Sequence, residues 1–131
     1  MITSAVALII RDKRILLTKR SNYTKNYPHY WTLPGGKWDP WETPKQTIIR
    51  EIKEELWVKL TSVELFFQEK IEFNGEPWSV NRFICDYEWK LSMQEEEIDW
   101  YAWYTFEEVQ DLKIAFNHAD VIQRAFEEWY L

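Results

Sequence analysis

Glu51 follows directly on Arg50, and Glu54 and Glu55 stand three and four residues further on. Residues three and four apart share one face of a helix, so these carboxylates crowd together and repel, by roughly 0.2–0.5 kcal/mol per pair. A hard divalent cation reverses that sign. Mg2+ or Mn2+ takes oxygen ligands and keeps waters that a phosphate group can displace. On the helix alone a second reading stands beside this one, a solvated acidic face in which Arg50 pairs with Glu54 at i+4.

The chain has to build a helix at this point and a close-fitting loop before it. Thr43 is suited to cap the helix, Pro44 to its first turn, and Gln46 stands where a capping box needs it. Ile48, Ile49, Ile52 and Leu56 predict its buried stripe. Upstream, Ile2 to Ile10 and Arg14 to Lys19 read as a strand pair around the polar turn Arg11-Asp12-Lys13. Residues 21–30 form a polar, aromatic loop, and Trp31-Thr32-Leu33 a short strand stopped by Pro34-Gly35-Gly36. Downstream, Val63 to Glu88 predicts a hairpin turning at Asn74-Gly75, with Val63, Leu65 and Phe67 alternating on one arm and Val80, Phe83, Cys85 and Tyr87 on the other. Trp100 to Thr105 is a further strand and Phe106 to Leu112 a short helix. Asn117 is placed to cap a last helix that buries Val121, Ile122, Ala125, Phe126 and Trp129. Strands and helices without regular βαβ alternation make the class α+β, with a mixed sheet.

Gly36, then Glu42 six residues on, then Arg50 eight further, then Glu51-Ile52-Lys53-Glu54-Glu55 and Val58, resemble the Nudix box, G-x5-E-x7-R-E-U-x-E-E-x-G-U with U apolar. Eight of its nine specified positions match. The flanking Trp31-Thr32-Leu33-Pro34-Gly35-Gly36-Lys37 and Glu42-Thr43-Pro44 are similar to the family's lead-in and helix start. The resemblance implies a Nudix-like mixed sheet sandwiched between helices, one domain over residues 1–131. It also implies a pyrophosphohydrolase that cleaves a nucleoside diphosphate linked to another group, by attack of water on phosphorus. Glu51, Glu54 and Glu55, with the Gly36 carbonyl, would hold Mg2+ or Mn2+. Arg50 would brace Glu51 or Glu54, with Glu42 as its counter-charge. Glu54 is the first candidate for general base and Glu97 the second, and Arg50 completes the catalytic group.

Substrate-binding candidates are Lys37, Asn117 and His118, of which Asn117 reads equally as a plain helix cap and His118 as a surface histidine. Aromatic side chains in residues 23–31 are candidates to stack a base. With no marker of the other subfamilies present, a nucleoside triphosphate cleaved to monophosphate and pyrophosphate, in the manner of the MutT-type 8-oxo-dGTP diphosphatases, is the expected reaction. ADP-ribose or another sugar nucleotide is the runner-up. A module that binds a nucleotide without cutting it is the reading from a different class.

The family pattern fails where Trp57 replaces a glycine, and Trp41 also stands where glycine is usual. Three glycines and nine tryptophans in 131 residues match that trade. Glycine in such places supports positive φ or close backbone approach, which an indole does poorly, so these two positions put activity in question. UGA lies one base from a glycine codon and is read differently in different genetic codes, so the gene's codons at 41 and 57 bear directly on the excess.

Composition removes other classes. Charged residues at 29% and hydrophobic ones at 46% are globular values, which excludes disordered and low-complexity chains. No apolar run reaches the roughly 18 residues of a membrane span, and the apolar start lacks a signal peptide's charged leader. A cytoplasmic protein without a membrane partner is the expectation. The single cysteine, Cys85, reads as a small buried hydrophobe. Residues 1–37 hold seven basic residues and one acid, Asp12, a net of +6 that leaves −12 to the rest of a chain of net −6. A basic segment beside an acidic body suits a stable complex with duplex nucleic acid poorly, since that wants a broad positive face; it suits an anionic ligand held by metal ions on carboxylates, although charge alone favours a plain solvated imbalance. The protein is expected as monomer or homodimer.

Overall fold

The computed structural model describes residues 1–88 and 100–131. Two compact units divide the chain: Met1–Ile9 with Pro34–Met93, and Ile10–Leu33 with Gln94–Leu131. Strand β1 (Ile2–Arg11) contributes to both.

In the first unit, β1 lies between β4 (Gly35–Lys37), antiparallel to it, and β6 (Glu76–Tyr87), parallel to it. Strand β5 (Leu60–Phe73) pairs antiparallel with β6 through the Asn74-Gly75 turn, where both residues take positive φ, as a two-residue hairpin of this hand requires. The sheet order is therefore β4-β1-β6-β5, a mixed sheet. Ala5, Ala7, Leu8 and Ile9 from β1 and Val80, Phe83 and Cys85 from β6 are buried with Ile48, Ile52 and Leu56 of the helix α1 (Pro44–Leu56). Burial pushes the Cys85 thiol up to about 12, so this cysteine is no nucleophile.

The predicted stop holds, β3 (Trp31–Thr32) ending before Pro34, but its two glycines open a further strand, β4. A Cβ on Gly35 would overlap the Ala5 carbonyl oxygen and stand 2.8 Å from Val6 Cα, so the bare backbone is what lets β4 lie against β1. Two burial expectations fail in the same unit. Ile49 is half turned to solvent while Thr47 is fully buried, because the stripe drifts around the helix at 3.6 residues per turn. Leu65 is 58% exposed, since a bulge between Leu65 and Phe67 breaks the two-residue alternation of β5.

The helix starts as its residues predict. Thr43 Oγ1 accepts the Gln46 amide at 3.2 Å and the Gln46 side chain accepts the Thr43 amide at 2.9 Å. It ends at Trp57, which holds φ 60° and ψ 31° and donates its N–H to the Lys53 carbonyl at 3.0 Å. This left-handed C-terminal position favours glycine, and the indole it carries is 75% exposed. Trp41 differs, for it is 81% exposed but its φ is not positive. Only one of the two glycine-to-tryptophan departures therefore strains the backbone.

In the second unit, β2 (Arg14–Lys19) pairs antiparallel with the end of β1, with β3 (Trp31–Thr32) and with β7 (Tyr101–Tyr104). The helix α2 (Phe106–Val109) opens on a second capping box at Thr105 and Glu108. Helix α3 (His118–Glu127) buries Val121, Ile122 and Ala125 as predicted. Phe126 is 46% exposed although it stacks on Phe106, and Trp129 lies past the helix end, 94% exposed. No helix among the described residues is long and apolar enough to cross a membrane.

Replacing Trp57 by glycine should relieve a left-handed non-glycine residue, worth of order 1–2 kcal/mol, less the extra chain entropy of glycine, about 0.5–1 kcal/mol. Thermal unfolding of Trp57→Gly should therefore move up by a few degrees at unchanged helix content. A lower midpoint would contradict the strain assigned to this cap.

Candidate functional site

The Arg50 guanidinium organises the acidic end of the first unit. Its Nε and Nη2 donate to the two oxygens of Glu42 at 2.7 and 3.0 Å, a bidentate fork. Nη1 donates to Glu51 Oε1 at 2.9 Å and reaches the Glu54 carboxylate at 3.3–3.4 Å. Nη2 also donates to the Lys37 carbonyl at 3.3 Å and stands 3.5 Å from Asp39 Oδ2. One cation thus spans four carboxylates and the last carbonyl of β4.

Glu42 is held from several sides. Besides the fork, its Oε1 accepts the Asp39 amide at 3.1 Å and the Thr47 hydroxyl at 3.1 Å. The Trp38 indole N–H donates to its main-chain carbonyl, and its own amide donates to the Asp39 carbonyl at 2.9 Å. Hydrogen bonding to Arg50 holds the Glu42 carboxyl at about 2, well below its ordinary value, and raises Arg50 in turn.

Glu55 moves the other way. Burial, and then the charge of Glu51 beside it, push its carboxyl from 4.5 up to about 8. Burial is the larger cause, and the charge of Glu51 adds the repulsion anticipated from the 51, 54, 55 spacing. Gly36 is the other close fit. A Cβ there would stand 2.5–2.6 Å from the Glu51 carboxylate oxygens, so the glycine is required for approach, not for its φ.

This donor set suits a hard divalent cation: all ligating atoms are oxygens, and a second positive charge would offset the repulsion between Glu51 and Glu55. Among the described residues no three His, Cys, Asp or Glu side chains are gathered as a finished metal cage. The positive charge between Glu51 and Glu54 is Arg50 Nη1 itself.

The first unit brings together Gly36, Lys37, Glu42, Arg50, Glu51, Glu54 and Glu55 on β4, the following loop and α1. Lys37 is exposed, with its ammonium 5.5 Å from the centre of the Trp78 ring. Asn117 and His118 belong to the second unit. Asn117 occupies the N-cap of α3 but makes no side-chain cap bond, its φ of −102° and ψ of 19° lying outside the extended region that a capping side chain needs. His118 is buried, not superficial, with its ring edge-on to Phe116 at 5.5 Å. In the aromatic loop, Tyr27 packs on Phe116 and Tyr30. Glu97 lies outside the described residues. Two participants went unnoticed in the sequence: Asp39, one acid among many, and Thr47, whose only signal is a hydroxyl on an apolar stripe.

The raised Glu55 carboxyl has a stability consequence. In the folded protein it keeps a proton that the unfolded chain has already released, so without metal its contribution to stability falls as pH rises from 4.5 to about 8. Glu42 acts in a lower window, its contribution being lost as pH falls from 4.5 towards 2. In chelator-treated protein, Glu55→Gln should flatten the decline above pH 5, read as unfolding midpoint against pH. A profile parallel to the wild type would contradict the assignment.

Similarity to known proteins agrees with the box. The chain is 35% identical over 75 residues to the CTP pyrophosphohydrolase of Escherichia coli (strain K12), a match covering 57% of this chain and 55% of that protein. It is 31% identical over 68 residues to the 8-oxo-dGTP diphosphatase of Proteus vulgaris, covering 52% and 60%. These matches span less than two thirds of either relative's length. The crystal structure of the MutT NUDIX hydrolase from Burkholderia pseudomallei superposes with a TM-score of 0.75 at 26% identity, covering 94% of this chain and 95% of that one. The family model described as the NUDIX domain matches residues 1–125, and the chain belongs to that family.

Proposed function

We propose that the protein hydrolyses a phosphoric anhydride in a nucleoside diphosphate linked to another group, with a divalent cation held on α1, and that residues 1–131 act as one Nudix domain. One observation carries this reading: Arg50, anchored on Glu42, holds Glu51 and Glu54 beside the Gly36 approach. Glu51, Glu54, Glu55 and the Gly36 carbonyl are the ligands proposed for Mg2+ or Mn2+. When bound, such an ion neutralises phosphate oxygens and lowers the pKa of water. The chain supplies the rest. Glu42 keeps Arg50 in place, and Arg50 braces Glu51 and Glu54. Glu54, the most exposed of the three at 59% of its side chain, takes the proton of the attacking water as the bridging P–O bond breaks. Lys37, on the same unit as the carboxylates, receives phosphate charge.

A nucleoside triphosphate split to monophosphate and pyrophosphate is the favoured reaction, in keeping with the pyrophosphohydrolase and diphosphatase relatives. Sugar nucleotides such as ADP-ribose come second. A small nucleotide, not a nucleic acid, is the proposed partner, because the basic residues 1–37 adjoin an acidic remainder. The reading as a binding module draws on Trp57, whose strained cap immediately follows the carboxylate helix.

A pyrophosphate- and phosphate-release screen over nucleoside triphosphates and sugar nucleotides with Mg2+, run beside Glu54→Gln, tests the proposal. Turnover by the wild type and a loss of about a hundredfold or more in kcat for the variant are expected of a general base. If nothing turns over while nucleotides raise the melting temperature, the protein is a binding module.

A further inference from the structure

The buried stripe of α1 carries one polar side chain. Thr47 is fully buried beside Ile48 and Ile52, at a place where valine would fit the same volume without a polar atom to satisfy. Its hydroxyl stands 3.1 Å from Glu42 Oε1 and 3.2 Å from the Thr43 carbonyl. It has one proton and two acceptors, and the ionised carboxylate is the stronger of them. The oxygen it reaches is the one that also receives Arg50 Nη2 and the Asp39 amide. Three donors from a strand-following loop and two turns of α1 therefore converge on one atom, and rotation of the Glu42 carboxylate would break all three. Thr47 is the donor of that set that comes from the buried side of the helix.

We infer that Thr47 is a positioning residue: its buried hydroxyl locks the carboxylate of Glu42, and through it the plane of the Arg50 guanidinium that braces Glu51 and Glu54. The inference rests on the functional reading above for its consequence, although the lock itself is a property of the folded chain. Thr47 touches neither substrate nor reacting atoms. Its effect is passed on by Glu42, which without the hydroxyl keeps its charge and its ion pair but gains freedom to turn.

Thr47→Val separates positioning from packing, since it preserves shape and adds an apolar group to an apolar stripe. Two readouts are needed, taken on the full chain of wild type, Thr47→Val and Thr47→Ser. The first is hydrogen exchange of the Arg50 Nε–H, followed by NMR without metal. The second is Mn2+ affinity, followed by electron paramagnetic resonance. Thr47→Val should unfold no earlier than the wild type, yet exchange the Arg50 Nε–H faster and bind Mn2+ about fivefold more weakly, below the 10–100-fold typical of residues that hold a ligand directly. Thr47→Ser should restore both. Unchanged Nε–H exchange in Thr47→Val overturns the inference whatever the metal does. Faster exchange with no Mn2+ binding even by the wild type supports the lock and sinks the functional reading instead.

Discussion

Four carboxylates share one guanidinium, and the local architecture follows from that imbalance. Glu42, Glu51, Glu54 and Asp39 bring four negative charges to a single Arg50. A lysine in its place would supply the charge but no planar fork with separate edges for Glu42 and for the helix pair. The cluster is stable as a folded element because the fork is charge-assisted and bidentate, and because Glu55, buried and beside the charge of Glu51, holds a proton. Both responses leave the site short of positive charge, and that deficit is its chemical capacity.

Everything around the cluster serves approach. Gly35 lets β4 lie on β1 and Gly36 lets Glu51 come up to β4, so two of the chain's three glycines are spent within two residues. The capping box at Thr43 starts α1 at the register that puts Glu42 just outside the helix and Arg50 two turns within it. At the far end, Trp57 keeps a glycine's backbone conformation with a tryptophan's side chain. The fold tolerates this because the cost is of order 1–2 kcal/mol within a stability of roughly 5–15 kcal/mol.

Much of this was legible in the residues. Caps, hairpin turns and the helix carrying the carboxylates are local decisions, made by a few neighbouring residues whose preferences agree with the final structure. The pieces that were not legible are tertiary. A Pro-Gly-Gly segment reads only as a stop, and that its glycines also open a strand is visible only beside β1, whose approach requires the bareness of Gly35. Thr47 reads as a defect in an apolar stripe until Glu42 is seen folding back over it. The buried face of α3 was overdrawn at Trp129, because the pattern continues past the helix end at Glu127, and at Phe126, which stays half exposed within the helix while it stacks on Phe106. The motif residues were recognisable by spacing alone, whereas the division of labour among them, with Glu42 held at about 2 and Glu55 at about 8, depends on burial and partners that spacing does not encode.

The central claim is that the geometry of the Arg50 fork, and not its charge alone, prepares Glu51 and Glu54 to take a divalent cation. Mn2+ affinity of Arg50→Lys against the wild type, measured by electron paramagnetic resonance at fixed pH and ionic strength, tests it most directly. Loss of about tenfold or more, with the variant still folded, is the result the account predicts. An affinity equal to the wild type's would mean that charge at position 50 suffices and would contradict it.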